Sequence, residues 1–215
     1  FKSWFVDFEP FQDGEFEDSE LGKIPKGWKV GTVEELTNNI FSGGTPRTAV
    51  AEYWGGEYSW FSSGETRNPI IIGTEKKITK SGIENSSTKL AKKGSVLIAS
   101  AGQGFTRGQT SLAMVDTYVN QSVVVLDIMP EYSSYLFFNL RRRYEELRGI
   151  SDSSSIRGSL TTKIIRQLPI LIPTLEDVLE FKKIADTIIK NMGDIQFENS
   201  TLTSLRDTLL PKLMS

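Results

Sequence analysis

Residues 175–210 have the sequence LEDVLEFKKIADTIIKNMGDIQFENSTLTSLRDTLL, in which apolar side chains recur in rows spaced seven residues apart. An a/d pattern with a 3.5-residue period is typical of a helix that pairs with another helix. At about 1.5 Å per residue the helix would be on the order of 50 Å long, which exceeds what one face of a small domain needs. We therefore predict a spacer or dimerisation helix over 174–215, with a helix that folds back on its own domain as the alternative. The predicted partner-facing residues, which we call the seam, are Phe181, Ile184, Ile188, Asn191, Ile195, Leu202, Leu205 and Leu209.

The heptad rows also contain polar residues. Asn191 and Glu198 interrupt one row, and Gly193 costs a helix roughly 1 kcal/mol relative to alanine. In coiled coils, a polar residue at one such position lowers stability but fixes the register and the number of partners. The pattern therefore favours a specific helical partner.

The composition excludes several kinds of catalytic site. The 215 residues include no cysteine and no histidine, which excludes disulfides, thiolate metal sites, a cysteine nucleophile and a Ser-His-Asp triad. The chain has no run of 18 apolar residues, and its N-terminus lacks a basic and then apolar signal pattern. We expect a soluble cytoplasmic protein with no membrane partner. Because the first residue is Phe1, we also expect an N-terminus that was trimmed or that belongs to a longer chain.

Charge is distributed unevenly along the chain. The net charge is −2. Residues 1–20 carry −6 and residues 174–215 carry −2, whereas residues 21–173 carry +6. This asymmetry suits a middle domain that contacts an anion while its flanks do not.

The chain divides into three segments. Residues 1–11, FKSWFVDFEPF, are too short to fold alone and must pack on a surface such as the base of the long helix. With the acidic stretch 12–20, typical of an exposed linker, they form the first segment, 1–20. Residues 21–173 contain short apolar runs broken by glycine and proline, which predict short strands and a few helices. We predict an α+β globular domain over 21–173, followed by the long helix over 174–215.

Some elements of the middle domain can be predicted individually. The run from Ser95 to Ser100 is typical of a buried strand. The pattern from Tyr132 to Arg148 predicts one amphipathic helix, and the serine-rich stretch from Ser151 to Ser159 predicts a loop. A last strand region is expected over 164–172, and a turn is expected at 53–56.

No catalytic constellation is apparent. Gly102, Gly104 and Gly108 follow a strand, but a dinucleotide fingerprint requires a helix directly after the glycines, and the pattern over 110–115 is that of a strand. We therefore interpret the glycines as a tight loop that lets backbone approach a partner closely. Asn68-Pro69 lacks the rest of an adenine-methylating motif. An enzyme that uses an Asp/Glu pair or a Ser/Lys pair is an alternative, but nothing in the sequence brings such residues together.

Five stretches mix arginines, amides, hydroxyls and aromatics in the way that DNA-binding loops do, at 42–47, 60–68, 103–109, 120–122 and 153–157. Each stretch alone is also compatible with an ordinary polar loop. The arginines at 141–143 together with Arg148 are most simply interpreted as the solvated face of a helix, although they could line a phosphate backbone. The candidate DNA-binding residues are Thr45, Arg47, Ser62, Ser63, Arg67, Asn68, Gln103, Thr106, Arg107, Gln109, Ser155 and Arg157.

Taken in order, the motifs of the chain resemble those of the specificity (S) subunits of type I restriction-modification systems. The matching pieces are LGKIPKGWKV at 21–30, SGGTP at 42–46, YWGG at 53–56, KGSVLIAS at 93–100, NQ at 120–121, LPILIP at 168–173 and LLPKLMS at 209–215. The stretch FKSWFVDFEPF resembles the segment that precedes a second target-recognition domain. The resemblance covers essentially the whole chain.

The resemblance implies a non-catalytic subunit. Members of the family carry two target-recognition domains on two antiparallel helices, and each domain reads half of a split DNA site. Methyltransferase (M) subunits dock on the helices and use S-adenosylmethionine, and restriction (R) subunits join them. This chain has one such domain and one helix, so it resembles a half subunit or a C-terminal half.

The implied partners are therefore double-stranded DNA, M subunits and R subunits, with no cofactor or metal in this chain. A homodimer on a twofold-symmetric split site is expected if the half exists alone. The alternative function is a scaffold or interaction protein that pairs through its heptad helix and does not bind DNA.

Overall fold

The structure is a computed structural model that describes residues 1–102, 105–153 and 159–213. The strands in these ranges are β1 (Phe16–Ser19), β2 (Gly22–Pro25), β3 (Lys29–Thr32), β4 (Thr37–Ser42), β5 (Trp54–Phe61), β6 (Ile70–Ile71), β7 (Lys76–Ile78), β8 (Lys89–Ala91), β9 (Val96–Ala99), β10 (Thr110–Ala113), β11 (Thr117–Val119), β12 (Val123–Ile128) and β13 (Pro169–Ile172). The α-helices are α1 (Lys2–Phe5), α2 (Lys80–Glu84), α3 (Ser133–Arg142), α4 (Tyr144–Ser153), α5 (Thr162–Arg166) and α6 (Leu175–Leu213). The predicted α+β class with a long C-terminal helix is confirmed.

Two sheets form the body of the domain. One has five strands in the order β4-β12-β9-β10-β6, and the other has four in the order β7-β5-β11-β8. The pairs β10–β6 and β11–β5 are parallel, and the remaining neighbours are antiparallel. Two small antiparallel pairs, β1–β2 and β3–β13, complete the strand pairing of the described residues.

The five-stranded sheet is the middle layer. Successive residues of a strand point to opposite faces, and both faces of β9 are buried. Val96 and Ile98 belong to the large core cluster that includes side chains of α3 and α6. Leu97 belongs instead to a second cluster, with Phe61 and Val119 of the four-stranded sheet. Burial on both faces explains why the predicted strand at 95–100 is a continuous apolar run, and this prediction is confirmed.

The first half of α6 packs on its own domain. Val178, Phe181, Ala185 and Ile189 are buried, and their spacing of three to four residues places them on one face of the helix. The Phe181 ring centroid lies 4.9 Å from that of Phe5, so this heptad residue contacts its own domain and not an outside partner. The alternative of a helix that folds back is therefore correct for this half of α6.

The rest of the seam faces outward. The side chains of α6 from Phe197 to Lys212 are all exposed, and this stretch alone extends about 24 Å. Ile184 and Ile188, in the half that packs on the domain, are also about half exposed. One stripe of apolar side chains therefore runs along most of α6 without a covering neighbour among the described residues. Its exposed members are Ile184, Ile188, Ile195, Leu202, Leu205 and Leu209.

The N-terminal aromatic residues pack at the base of α6, as predicted. Phe5 is buried and lies between Phe181 and Trp28, with ring centroids 4.9 and 5.6 Å away. The Trp28 indole donates a hydrogen bond of 2.8 Å to Asp177 in the first turn of α6. Most of the acidic stretch 12–20 is exposed, as predicted, and its residues 16–19 form β1, which pairs with β2 in a hairpin.

Several predicted elements have different bounds. The helix predicted over 132–148 is interrupted at Arg143, where the backbone leaves helical geometry (φ −85°, ψ 21°). The first three residues of the loop predicted over 151–159 belong instead to α4, and 154–158 lie outside the described residues. Of the strand region predicted over 164–172, the first part is the helix α5, which Thr161 caps. The turn predicted at 53–56 contains the first three residues of β5.

Candidate nucleic-acid interface

Strand register brings the predicted loops of the middle sheet to one end of the domain. The last residue of β9, Ala99, pairs with Val123 at the start of β12. The last residue of β4, Ser42, pairs with Val124. The segments 43–47, 100–102, 105–109 and 120–122 therefore lie at the same end of the sheet, which we call the loop end.

The second sheet adds its own loop to the loop end. Val119, the last residue of β11, pairs in parallel with Phe61, the last residue of β5. The backbone N–H of Asn120 donates to the Phe61 carbonyl, and that of Gly44 donates to the Val119 carbonyl. The segment 62–68 therefore lies beside 43–47 and 120–122. Four of the five stretches singled out in the sequence meet at one end of the two sheets.

The loop after β4 can approach its neighbours closely because it contains two glycines. A Cβ atom on Gly43 would lie 2.0 Å from the Val119 carbonyl oxygen, and one on Gly44 would lie 2.0 Å from Ser87 Oγ. Thr45 Oγ1 donates a hydrogen bond of 2.6 Å to Gln121 Oε1, which ties the loop to the 120–122 turn. Arg47 follows at an exposed position.

The 62–68 loop is built around a buried carboxylate. Glu65 accepts hydrogen bonds from the Ser62 and Glu75 backbone N–H groups, both at 2.9 Å. This arrangement closes a short 3₁₀ turn and leaves Arg67 and Asn68 exposed. Arg67 forms an ion pair with Glu75. The loop is therefore rigid at its base and polar at its surface.

Helix α4 holds the 105–109 loop. The Tyr144 hydroxyl donates to the Phe105 carbonyl at 2.8 Å. The Arg148 guanidinium lies 5.3 Å from the Phe105 ring centroid. Arg107 pairs with Asp152 at 2.8 Å. These three contacts fix the loop on α4, whose Leu147 belongs to the large core cluster.

A polar cleft of about 280 Å³ lies between the 62–68 and 105–109 loops. Inside it, Thr66 Oγ1 donates to Gln109 Oε1 at 3.2 Å, and Arg141 donates to the Thr110 carbonyl at 2.8 Å. Burial lowers the pKa of the Arg141 guanidinium, and an arginine side chain is effectively always protonated in proteins. The cleft therefore offers fixed donors and positive charge to an anion. Its lining residues are Thr66, Arg67, Gln109, Thr110, Arg141 and Tyr144.

The arginines at 141–143 are not a uniformly solvated helix face. Arg141 lines the cleft, and Arg143 donates to the Pro169 carbonyl and to Glu146, with only 14% of its side chain exposed. Arg148 faces the 105–109 loop, and its hydrogen bond with the Tyr144 hydroxyl raises the pKa of its guanidinium. The interpretation as a solvated face holds for Arg142, which is exposed.

The structure therefore groups most of the candidate residues. The candidates that lie at the loop end are Thr45, Arg47, Ser62, Ser63, Arg67, Asn68, Thr106, Arg107 and Gln109. Gln103, Ser155 and Arg157 lie outside the described residues. Sequence reasoning did not identify Phe105 and Tyr144 as site residues, and it considered Arg141 only as one of the arginines that could line a phosphate backbone. Their only signal was a place in or near polar stretches, since the contacts that bring them together are remote in sequence.

The fold defines a class of protein: a small α+β domain carried on a long helix. A family model described as "Type I restriction modification DNA specificity domain" matches residues 25–205. The chain belongs to this family, as the motifs predicted. In the part of the chain that the structure describes, no helix combines the length and apolarity needed to cross a bilayer.

The curated relatives of the chain include specificity subunits of type I restriction enzymes. The chain is 26% identical over 204 residues to the type I restriction enzyme MjaIX specificity subunit of Methanocaldococcus jannaschii, covering 86% of this chain and 46% of the relative. It is 23% identical over 196 residues to the HindI specificity subunit of Haemophilus influenzae, covering 89% and 42%. The chain thus spans less than half the length of these relatives.

Solved structures share the fold. The type I restriction-modification S subunit from M. genitalium superimposes with a TM-score of 0.66 at 17% identity, over 96% of this chain and 47% of that one. The HsdS subunit from Thermoanaerobacter tengcongensis gives 0.58 at 18% identity, over 92% and 47%. The predicted fold is thus found in chains about twice as long.

Proposed function

We propose that this chain is one half of a type I restriction-modification specificity subunit and that its loop end reads one half of a split double-stranded DNA target. The observation that carries the proposal is the convergence of the loops 43–47, 62–68, 105–109 and 120–122 at one end of the two sheets. These loops are remote in sequence, and each brings a cation or an amide to that end.

The side chains at the loop end suit the two tasks of a DNA reader. Arg47, Arg67 and Arg107 supply positive charge for phosphates, which positions a protein on the duplex. Asn68 and Gln121 are exposed amides that can hydrogen-bond base edges in a groove. The loops are held by hydrogen bonds within the domain, so little conformational entropy is lost when they bind.

Helix α6 has a separate role in this proposal. Its exposed seam packs against the corresponding helix of another half subunit. If the half subunit occurs alone, that partner is a second copy of this chain. M subunits dock on the paired helices, and R subunits join through them. The chain contributes recognition and no catalytic group, and S-adenosylmethionine is bound by the M subunit. What supports this role is an apolar stripe too long and too exposed to belong to the core.

Selection from a random-sequence duplex library tests the proposal. The full chain should enrich a short fixed sequence, and a second inverted copy at constant spacing if it binds as a dimer. The double variant Arg67→Ala/Arg107→Ala should bind the selected duplex roughly tenfold or more weakly. The matched control Lys190→Ala/Arg206→Ala removes two charges from α6 and should bind as the wild type does. Enrichment of no sequence by the wild-type chain would contradict the proposal.

A further inference from the structure

The most exposed large apolar side chain of the described residues is at the loop end and not on α6. Phe105 is 77% exposed, more than any seam residue. It also lies outside both apolar core clusters. The exposure of the Phe105 ring at the loop end, where a ligand is expected to bind, indicates that a binding partner covers it.

The ring is nevertheless held in place. The Phe105 carbonyl accepts a hydrogen bond of 2.8 Å from the Tyr144 hydroxyl, and its ring is braced by the Arg148 guanidinium at 5.3 Å from the centroid. Behind the loop, Gly108 has φ +84° and sits so close to α4 that a Cβ atom there would lie 3.2 Å from the Arg148 backbone nitrogen. The loop therefore presents Phe105 from a fixed base, which lowers the entropic cost of inserting the ring into a ligand.

The surroundings of the ring indicate the chemistry of that ligand. The Arg148 guanidinium lies over the ring, and Arg107 stands two residues along the same loop. Tyr144, which donates to the Phe105 carbonyl, also lines the cleft that contains Arg141. An apolar surface of a protein partner would have to desolvate these guanidinium groups. A nucleic acid offers both phosphates for the arginines and stacked bases for the ring.

We infer that Phe105 is a wedge that enters a base step of the bound duplex and partly unstacks it. The inference rests on the proposed function, because it assumes that the loop end binds DNA. Apolar side chains inserted from the protein into a base step kink the duplex and expose more of it to protein contacts. The wedge would make the deformability of one base step part of what the domain recognises.

The test uses the duplex that the wild-type chain selects, with 2-aminopurine replacing adenine at successive positions. Wild-type protein should raise the fluorescence at one step in the half-site, where the probe loses its stacking. Phe105→Ala should abolish that rise and weaken binding about tenfold, with an unchanged salt slope because no phosphate contact is lost. Phe105→Leu should keep part of the signal. Phe197→Ala removes an exposed ring from α6 and should leave both signal and affinity unchanged.

The outcomes separate the wedge from the function on which it rests. If Phe105→Ala binds the duplex with wild-type affinity and the same fluorescence pattern, the wedge is wrong while DNA recognition stands. If the variant keeps the pattern but no longer retains an M subunit in pull-down, Phe105 is a protein contact and the wedge is again wrong. If the wild-type chain binds no duplex, both the proposed function and the wedge fail.

Discussion

Asp152 lies 2.8 Å from Arg107 and so places a carboxylate against one of the arginines at the loop end. The aspartate sits in the last turn of α4, and about half of its side chain is exposed. The same carboxylate lies 3.8 Å from Arg148. Any phosphate that reaches this part of the surface must compete with Asp152 for both guanidinium groups.

Replacing the competing carboxylate should strengthen DNA binding. Asp152→Asn removes one negative charge from the interface and the carboxylate that competes with phosphate for Arg107, so we expect a several-fold gain in affinity and a salt slope steeper by up to about 0.9. Fluorescence anisotropy over a salt series measures both quantities. The control Asp194→Asn removes a more exposed carboxylate, 63% against 47%, that pairs with Lys190 on α6. If both variants bind alike, Asp152 does not face the DNA.

Removing the arginine should have the opposite effect. Arg107→Ala is expected to weaken DNA binding and to flatten the salt slope by about 0.9, because one phosphate contact is lost. Lys190→Ala removes a cation from the exposed side of α6 and serves as the control. Affinity that is unchanged at several salt concentrations would remove Arg107 from the interface.

The buried strand β9 was predictable because a strand that is buried on both faces is a continuous run of apolar residues in the local sequence. The predicted strand at 95–100 contains β9, whose four residues are all buried and follow a Gly94 turn. That the candidate loops lie together was predictable only from the family motifs. No local sequence pattern indicates that Thr45 contacts Gln121, which is 76 residues away. The register of β4, β9 and β12 makes that contact, and register depends on the whole sheet.

Other features could not be predicted because a pattern does not identify the neighbour. Arg141 and Arg143 sit in what looks like a charged helix face, yet their acceptors are carbonyls 31 and 26 residues away. Phe181 and Ile188 share one heptad row, but Phe181 is buried on its own domain and Ile188 is 48% exposed. The heptad pattern shows that these side chains are apolar, whereas the surrounding fold decides what covers them.

The close approach of the 43–47 loop to β11 predicts a stability effect. In Gly43→Ala the added methyl would lie 2.0 Å from the Val119 carbonyl oxygen, so the backbone must shift. We expect a loss of about 1–3 kcal/mol in the free energy of unfolding. Gly73→Ala is the control, because no atom lies within 4 Å of a Cβ there. Thermal unfolding followed by circular dichroism measures both, and equal melting temperatures would contradict the close approach.

Adjacent residues on α6 separate folding from pairing. Ile189 is 4% exposed and Ile188 is 48% exposed. Ile189→Ala should cost about 2–4 kcal/mol of unfolding free energy, because it empties part of the core. Ile188→Ala should leave the unfolding of the dissociated chain nearly unchanged but weaken self-association, measured by light scattering over a concentration series. If Ile188→Ala leaves association unchanged, this part of the seam does not pair.

Asn191 tests whether the seam pairs through its heptad rows. The residue is exposed on α6, between Ile188 and Ile195 of the outward stripe. A buried asparagine at such a position lowers the stability of a helical pair while fixing its register. Asn191→Leu should therefore strengthen self-association. If Asn191 fixes the register and the number of chains, the mass of the assembly should change as well. Sedimentation equilibrium reports the dissociation constant and the mass together.

Glu180→Leu, an exposed polar-to-apolar change outside the two heptad rows, controls for non-specific association. If the two variants associate alike, or if Asn191→Leu keeps the wild-type constant and mass, Asn191 lies outside the paired surface.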